Sequence, residues 1–196
     1  MSLPYTLVLH GLGGSGPTHW QNWLAGELAH HGGQVDVPQF TLPDEPRLAV
    51  WLAELREHLA AAPREGERVV LAHSLACLLW LHHAAGDFDP ALRVDRVLLV
   101  APVFPDYRDE PAITDFLNPP LDPTLVRRAA GSTRLVLGEG DEYCTLPQGK
   151  ELAETLRLDL DVIVGGGHLN VAAQYGSWPA VLKWVRSDRT PLTPRS

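Results

Sequence analysis

The stretch RVVLAHSLACLLWLHHAA, residues 68–85, contains the pattern that decides the fold. Residues 68–72 form a short apolar run without polar alternation, which predicts a strand that is buried on both faces. Residues 75–85 are apolar nearly all round, which predicts a central helix covered by its neighbours. Ser74 lies between the two elements, on a sharp turn from strand to helix.

The turn around Ser74 is typical of a nucleophile elbow, in which strained backbone presents a serine at the end of a strand. Strand and helix can approach at such a turn only if the residues two before and two after the serine are small. Here both are alanine, Ala72 and Ala76, where the usual signature has glycine. The alternative is that Ser74 only caps the helix, as serine commonly does.

Five further segments rich in Val, Leu and Ile surround this unit, and helical patterns separate most of them. This alternation predicts an α/β fold: a three-layer α/β/α sandwich with a mostly parallel sheet of about six strands and right-handed crossovers. Ligands bind such sheets at the carboxyl ends of the strands. The predicted strands are residues 5–10, 35–37, 68–72, 94–101, 133–137 and 158–164.

Caps and prolines indicate where several of the remaining elements begin. Thr145 and Gln148 have the spacing of a capping box, so a helix is predicted to begin there. A last helix is predicted at residues 179–186, with Ser177 as its cap. Residues 102–123 carry six prolines and are predicted to form an irregular rim or lid rather than a helix.

Length and composition indicate one globular domain. The chain has 196 residues, of which 45% are apolar and 20% are charged. We expect a single domain over residues 1–186 and a flexible tail over residues 187–196. The net charge of −8 argues against nucleic acid and anionic membrane surfaces as partners. No apolar run approaches the ~18–20 residues that span a bilayer, and no signal peptide pattern is present, so we expect a cytoplasmic protein.

The cysteine and histidine patterns predict no metal site. Cys77 and Cys144 have no C-x-x-C partner and are predicted to be reduced, with Cys77 buried. The adjacent histidine pairs at 30–31 and 82–83 diverge on a helix and are predicted to lie at the surface. No cofactor is expected either.

Two loops supply candidate partners for Ser74. His168 follows the last predicted strand in a loop with three consecutive glycines, from which an imidazole can reach the serine as a general base. Asp141, in the turn after the fifth predicted strand, is chosen over Glu139 and Glu142 to orient that histidine. The order of serine, aspartate and histidine along the chain is the order of the α/β-hydrolase triad.

The glycine-rich loop after the first strand has two interpretations. In a hydrolase, the backbone amides of Leu12 and Leu75 would bind the developing oxyanion. The same loop is also a literal G-x-G-x-x-G from Gly11 to Gly16, with Asp36 about 20 residues on, which is the fingerprint of a dinucleotide-binding site. The alternative function is therefore a nucleotide-binding oxidoreductase.

Aromatic side chains near these loops are candidates for the substrate pocket. Trp20, Phe104 and Tyr107 are assigned to it, although core packing is the usual role of a tryptophan on an apolar helix face. The expected partner is a small-molecule ester or amide, and nothing in the sequence points to a protein partner.

Five motifs together resemble a known family: HGLGGSGPTHWQNW (10–23), AHSLAC (72–77), GEGDEY (138–143), GHLN (167–170) and YGSWP (175–179). The chain is similar over nearly its whole length to the small α/β-hydrolases of the serine hydrolase family that includes retinoblastoma-binding protein nine. The resemblance implies an α/β-hydrolase-like sheet without a large cap domain, and a triad on Ser74, Asp141 and His168. The alanines flanking the serine depart from the family pattern.

The sequence thus predicts a serine hydrolase that cleaves a carboxylic ester, thioester or amide through an acyl-enzyme on Ser74. A third interpretation is a binding module that keeps the hydrolase fold without catalysis. Acyl-chain length, ester or amide preference and oligomeric state do not follow from residue spacing.

Overall fold

The computed structural model describes residues 3–187 and 190–194. Its sheet has six strands, all parallel, in the order β2-β1-β3-β4-β5-β6. The predicted α/β class with a mostly parallel six-stranded sheet is therefore confirmed. The strands are β1 (Tyr5–Leu9), β2 (Val35–Asp36), β3 (Arg68–His73), β4 (Val94–Val100), β5 (Ala130–Gly138) and β6 (Asp159–Ile163).

Helices cover both faces of the sheet, which makes the three layers. Side chains alternate between the faces along each strand: Val69 and Leu71 pack on one side, and Val70 and Ala72 pack on the other. Helices α1 and α6 cover the first side, and α2 to α5 cover the second. The helices are α1 (Trp20–His30), α2 (Leu48–Ala61), α3 (Leu75–Ala85), α4 (Pro123–Ala129), α5 (Leu146–Leu156) and α6 (Pro179–Arg186).

Helix α3 lies at the centre of the second layer, as its sequence predicts. Nine of its eleven residues are buried, which explains why its apolar side chains extend all round the helix. Cys77 is fully buried, and burial raises the pKa of its thiol well above the usual value. Both cysteines are free.

Other features depart from the sequence predictions. Strand β5 begins at Ala130 rather than residue 133, because Ala130 pairs with Val94 of β4 although polar residues follow it. Helix α6 has Trp178 rather than Ser177 in the capping position, without a side-chain cap. His83 is buried between Trp80 and Phe88, so the surface prediction for this histidine was wrong.

Part of the predicted flexible tail packs against the domain. Leu192 is buried in the layer formed by α1 and α6. The backbone carbonyl of Thr193 accepts a hydrogen bond from the Trp178 indole N–H at 2.8 Å. The flexibility of the tail stays a prediction, and residues 188, 189, 195 and 196 lie outside the described residues.

The proline-rich segment at residues 102–123 forms a rim beyond β4, as predicted. It contains only a short 3₁₀ helix, Pro111–Phe116, before α4 begins at Pro123. Ile113 and Phe116 are buried against the core, so this part of the rim is anchored by apolar packing. Whether the segment moves as a lid stays a prediction.

Candidate active site

The turn between β3 and α3 has the strained backbone that the sequence predicts for Ser74. Ser74 has φ 57° and ψ −123°, a combination that costs energy for a residue with a side chain. The Ser74 side chain makes no capping bond to α3, so the helix-cap alternative is not supported. Ala72 and Ala76 are both fully buried where strand and helix approach.

A chain of hydrogen bonds joins Ser74, His168 and Asp141. The Ser74 Oγ lies 2.9 Å from His168 Nε2, and His168 Nδ1 lies 2.8 Å from Asp141 Oδ2. Because a carboxylate only accepts, Nδ1 of His168 carries the proton and Nε2 is free to accept from the serine hydroxyl. The other carboxylate oxygen of Asp141 accepts the Tyr143 amide N–H at 2.9 Å. Each member of the chain is therefore held by a specific partner.

Asp141 differs from Glu139 and Glu142, the two other carboxylates of this turn, in being buried. The Asp141 side chain is only 1% exposed, and the His168 side chain is 10% exposed. Glu139 and Glu142 are exposed, and Glu139 accepts instead from the Gly165 amide at 3.3 Å. The choice of Asp141 from the sequence agrees with this arrangement.

Glycines let the loops that carry Asp141 and His168 come together. A Cβ on Gly138 would lie 2.0 Å from the carbonyl oxygen of Gly167, so no other residue fits at the end of β5. Gly165 and Gly167 have positive φ angles of 63° and 54°, which the loop before His168 requires. The three glycines that follow β6 therefore serve both close approach and turn formation.

The glycine-rich loop after β1 packs directly on Ser74. A Cβ on Gly11 would lie 2.8 Å from the Ser74 Cβ and 3.2 Å from the Leu75 backbone nitrogen. Buried His10 holds the loop: its Nδ1–H donates to the Gly11 carbonyl at 2.7 Å, and its Nε2 accepts the Phe40 amide at 2.9 Å. Burial lowers the pKa of His10, in keeping with a neutral ring in this bonding pattern.

This arrangement disfavours the dinucleotide interpretation of the loop. A dinucleotide fingerprint opens directly into a helix, but α1 begins only at Trp20, four residues after Gly16. The Asp36 carboxylate accepts from the Tyr5 hydroxyl at 3.2 Å and lies 2.6 Å from His58 Nδ1. The loop and the aspartate thus have other contacts, and the loop faces the serine.

A cavity of about 310 Å³ opens beside Ser74. Tyr107 lines it, as the sequence assigned, and so do Leu12 and Leu75, the two proposed oxyanion donors. Trp20 and Phe104 do not line it, which corrects the sequence assignment. Trp20 is fully buried in the core and donates its indole N–H to the Leu169 carbonyl at 2.9 Å, and Phe104 packs against the core formed by α2 to α5.

Several cavity residues were missed by the sequence reasoning. They come from the rim, from the turn after β5, from the loop after β6 and from the residue before α1, and their contacts with the cavity depend on tertiary packing. The signal that could have suggested a role was motif membership: His19 lies in the motif 10–23, Tyr143 in the motif of Asp141 and Asn170 in the motif of His168. The missed residues include His19, Val103, Glu110, Ile113, Tyr143 and Asn170.

Three histidine rings lie in a row at one side of the cavity. The centroid of His73 lies 5.0 Å from that of His19 and 5.0 Å from that of His168. His73 Nε2–H donates to the His168 carbonyl at 2.9 Å, which links the end of β3 to the His168 loop. Burial, reinforced by the neighbouring histidines, lowers the pKa of His73 well below its usual value. This ring therefore stays neutral and acts as a donor.

In the described parts of the chain, no three His, Cys, Asp or Glu side chains are grouped so that they could hold a metal ion. Over the same residues, every helix is too short or too polar to cross a bilayer.

The fold and this site define an α/β-hydrolase, with a serine at the strand–helix turn followed in the chain by aspartate and histidine. Solved structures share the fold. The ydeN gene product of Bacillus subtilis has a TM-score of 0.82 and 22% identity, covering 94% of this chain and 97% of that one. For a YdeN-like protein of Pectobacterium atrosepticum the TM-score is 0.74 and the identity 22%, with coverage of 93% and 90%. The thioesterase domain of the curacin biosynthetic pathway has a TM-score of 0.67 and 15% identity, covering 94% of this chain and 91% of that one.

Sequence comparison supplies the family. The family model described as serine hydrolase matches residues 6–187, nearly the whole chain. YdeN of Bacillus subtilis (strain 168) is 24% identical over 177 residues, which are 89% of this chain and 90% of YdeN. The chain therefore belongs to the serine hydrolase family, and the resemblance identified from the motifs is confirmed.

Proposed function

We propose that this protein cleaves a carboxylic ester, thioester or amide through an acyl-enzyme on Ser74. The observation that carries the proposal is the continuous hydrogen-bond chain from Ser74 through His168 to buried Asp141. This chain activates a weak nucleophile, because the imidazole can take the serine proton as the oxygen attacks.

In the first half of the reaction, Ser74 Oγ bonds to the carbonyl carbon and its proton passes to His168 Nε2. The resulting imidazolium is stabilised by the Asp141 carboxylate, which also holds the ring in the required tautomer. His168 then gives the proton to the leaving group as its bond to the carbonyl carbon breaks. The acyl group remains on Ser74.

In the second half, water attacks the acyl carbon and loses its proton to His168, and the carboxylic acid leaves as Ser74 recovers its proton. The backbone amides of Leu12 and Leu75 would stabilise the oxyanion in both halves. As the first residue of α3, Leu75 has an amide with no partner within the helix. The close contact between Gly11 and Ser74 supports a place for Leu12 beside the same oxygen.

The test is covalent labelling with a fluorophosphonate probe, followed by hydrolysis of p-nitrophenyl esters of increasing chain length. We expect the probe to label the wild type at Ser74 and the Ser74→Ala variant to lose both labelling and turnover. Labelling that persists unchanged in that variant would overturn the proposal. A folded wild type that is neither labelled nor active on any ester or aryl amide would instead favour the binding-module interpretation.

A further inference from the structure

His19 is a buried side chain at the cavity to which the proposed mechanism gives no role. It occupies the N-cap position of α1, where its Nδ1 accepts the Gln21 backbone N–H at 3.3 Å. An amide N–H can only donate, so Nδ1 must carry the lone pair, and in the neutral ring the proton is on Nε2. Burial, and next the nearby His168, lower the pKa of His19 to about 4, so the ring is neutral at pH 7.

The Nε2–H of His19 is therefore a donor available to the cavity. His19 lines the cavity together with Ser74 and His168, although it is only 6% exposed. Among the residues that the structure describes, none is hydrogen-bonded to His19 Nε2. His19 Nε2 is not among the buried side-chain nitrogens and oxygens without a partner, so this atom is accessible from the cavity. A ligand oxygen that enters the cavity can therefore accept this N–H in place of water.

Asn170 repeats this pattern in the same cavity. Its Oδ1 accepts the Ala173 backbone N–H at 3.0 Å, so the acceptor end of the side chain is used within the loop. The amide NH₂ of Asn170 is left as the end that can meet a ligand. In both side chains the acceptor atom is hydrogen-bonded to a backbone amide, and the N–H donor is left for a ligand in the cavity.

The two donors flank His168. Asn170 is two residues further along the same loop, and His19 packs on His73, which in turn donates to the His168 carbonyl. Because His168 protonates the leaving group in the proposed mechanism, this side of the cavity holds the leaving group rather than the acyl group.

The charge of the cavity favours a neutral acceptor over an anion. The residues that line it, all in the described part of the chain, include no Lys or Arg. Glu110 lines it and carries a carboxylate, and the whole chain has a net charge of −8. An anionic group would meet repulsion here without a cation to offset it.

We propose that His19, together with Asn170, binds a neutral oxygen acceptor in the leaving group of the substrate. The preferred substrates are then esters of alcohols that carry a second oxygen, as an ether, hydroxyl or carbonyl, close to the scissile bond. This inference rests on the proposed hydrolysis at Ser74 and adds the class of alcohol that leaves.

The experiment compares 2-methoxyethyl acetate with butyl acetate, which differ by one ether oxygen in place of a methylene group. Release of acetic acid is followed by pH-stat, and each kcat/KM is divided by the rate of hydroxide-catalysed hydrolysis of the same ester. For the wild type we expect the corrected kcat/KM to favour the ether by about five- to tenfold, the worth of one net hydrogen bond. Equal values, or a preference for butyl acetate, would overturn the inference.

Two matched variants separate the donor of His19 from its helix cap. In His19→Asn the amide oxygen can replace Nδ1 as the cap, but no N–H reaches as far as Nε2 did. In His19→Gln the longer amide can present an N–H near the former Nε2, whereas the cap is lost. We expect the preference for the ether to vanish in the first variant and to persist in the second. The reverse pattern would show that His19 only caps α1.

A variant of Asn170 tests the second donor, and activity on p-nitrophenyl acetate distinguishes failure of this inference from failure of the proposed function. Asn170→Asp keeps the acceptor for the Ala173 amide and removes the donor, so it should also reduce the preference for the ether. Circular dichroism establishes that each variant is folded. If the wild type reacts with the fluorophosphonate probe and hydrolyses p-nitrophenyl acetate but treats both acetates alike, only this inference fails. If it does neither, the proposed function fails as well.

Discussion

Gly11 offers a sharp test of the proposed oxyanion site. In Gly11→Ala the new methyl group would lie 2.8 Å from the Ser74 Cβ and 3.2 Å from both the His73 carbonyl oxygen and the Leu75 nitrogen. Carbon atoms rest in contact at about 3.5 Å, so the loop or the elbow must move by about 0.7 Å. Gly11 lies outside the left-handed backbone region, so the cost arises from contact rather than from backbone strain.

The displacement is expected to act mainly on the transition state. A loop that moves away from Ser74 carries the next amide, that of Leu12, out of reach of the oxyanion. Loss of one such donor costs about 3 kcal/mol in the barrier, which corresponds to about a 100-fold fall in kcat. Overpacking at one site also lowers the free energy of unfolding, by about 1–3 kcal/mol.

Gly16→Ala is the matched control, because Gly16 belongs to the same loop and lines the same cavity, but a Cβ there would meet no atom within 4 Å. Saturation kinetics with p-nitrophenyl acetate, at a temperature where circular dichroism shows folded protein, would give kcat for both variants. We expect Gly16→Ala to stay within about twofold of the wild type. A folded Gly11→Ala variant with the kcat of the wild type would refute the assignment of the Leu12 amide.

Three further predictions concern the triad, the buried histidines and the thiols. Asp141→Asn should lower kcat on p-nitrophenyl acetate by about 10⁴-fold, with the melting temperature little changed, because the tautomer of His168 is no longer held. The control is Glu142→Gln at an exposed position of the same turn, and equal effects of the two substitutions would contradict the assignment of Asp141. Burial, and to a lesser extent two nearby arginines, lowers the pKa of His83 to about 4 in the folded protein. Between about pH 6.5 and 4 this histidine is therefore protonated in the unfolded chain but not in the folded protein, so the free energy of unfolding falls as the pH drops through this range. Urea denaturation at pH 7 and pH 5 should show this loss reduced by about 2 kcal/mol in His83→Phe, and an unchanged pH dependence would exclude His83 as its source. Burial raises the pKa of both thiols, that of Cys144 to about 12. Ellman's reagent at pH 8 should therefore react with Cys77 and Cys144 only after denaturation, and rapid reaction with the native protein would contradict their burial.

The strands and helices were predictable because their signals are local. The apolar run before Ser74 and the continuously apolar α3 need no distant contact to be recognised. The capping box of Thr145 and Gln148 is likewise present at the start of α5. The start of β5 was missed because its first residues pair with β4 through the backbone, which leaves little trace in side-chain polarity.

The errors about individual side chains have a different origin. His83 was expected at the surface because it belongs to an adjacent histidine pair that diverges on a helix, but the helix is buried nearly all round and this decides the environment of His83. Trp20 was assigned to the pocket because it lies near the glycine-rich loop, yet the side chain points into the core between α1 and α6. His19, its neighbour, lines the cavity instead. Adjacent helix residues face different directions, and only packing decides which of them meets the cavity.

The sequence by itself determined the order of the elements and the loops that carry Ser74, Asp141 and His168, because periodicity, glycines and chain order are properties of short stretches. Only the tertiary structure decided that these side chains, up to 94 residues apart, lie within hydrogen-bond distance. It also decided which nitrogen of His19 is used by a helix end and which is left for a ligand. Such contacts depend on how loops from different strands pack against one another at one edge of the sheet, and no local pattern encodes that packing.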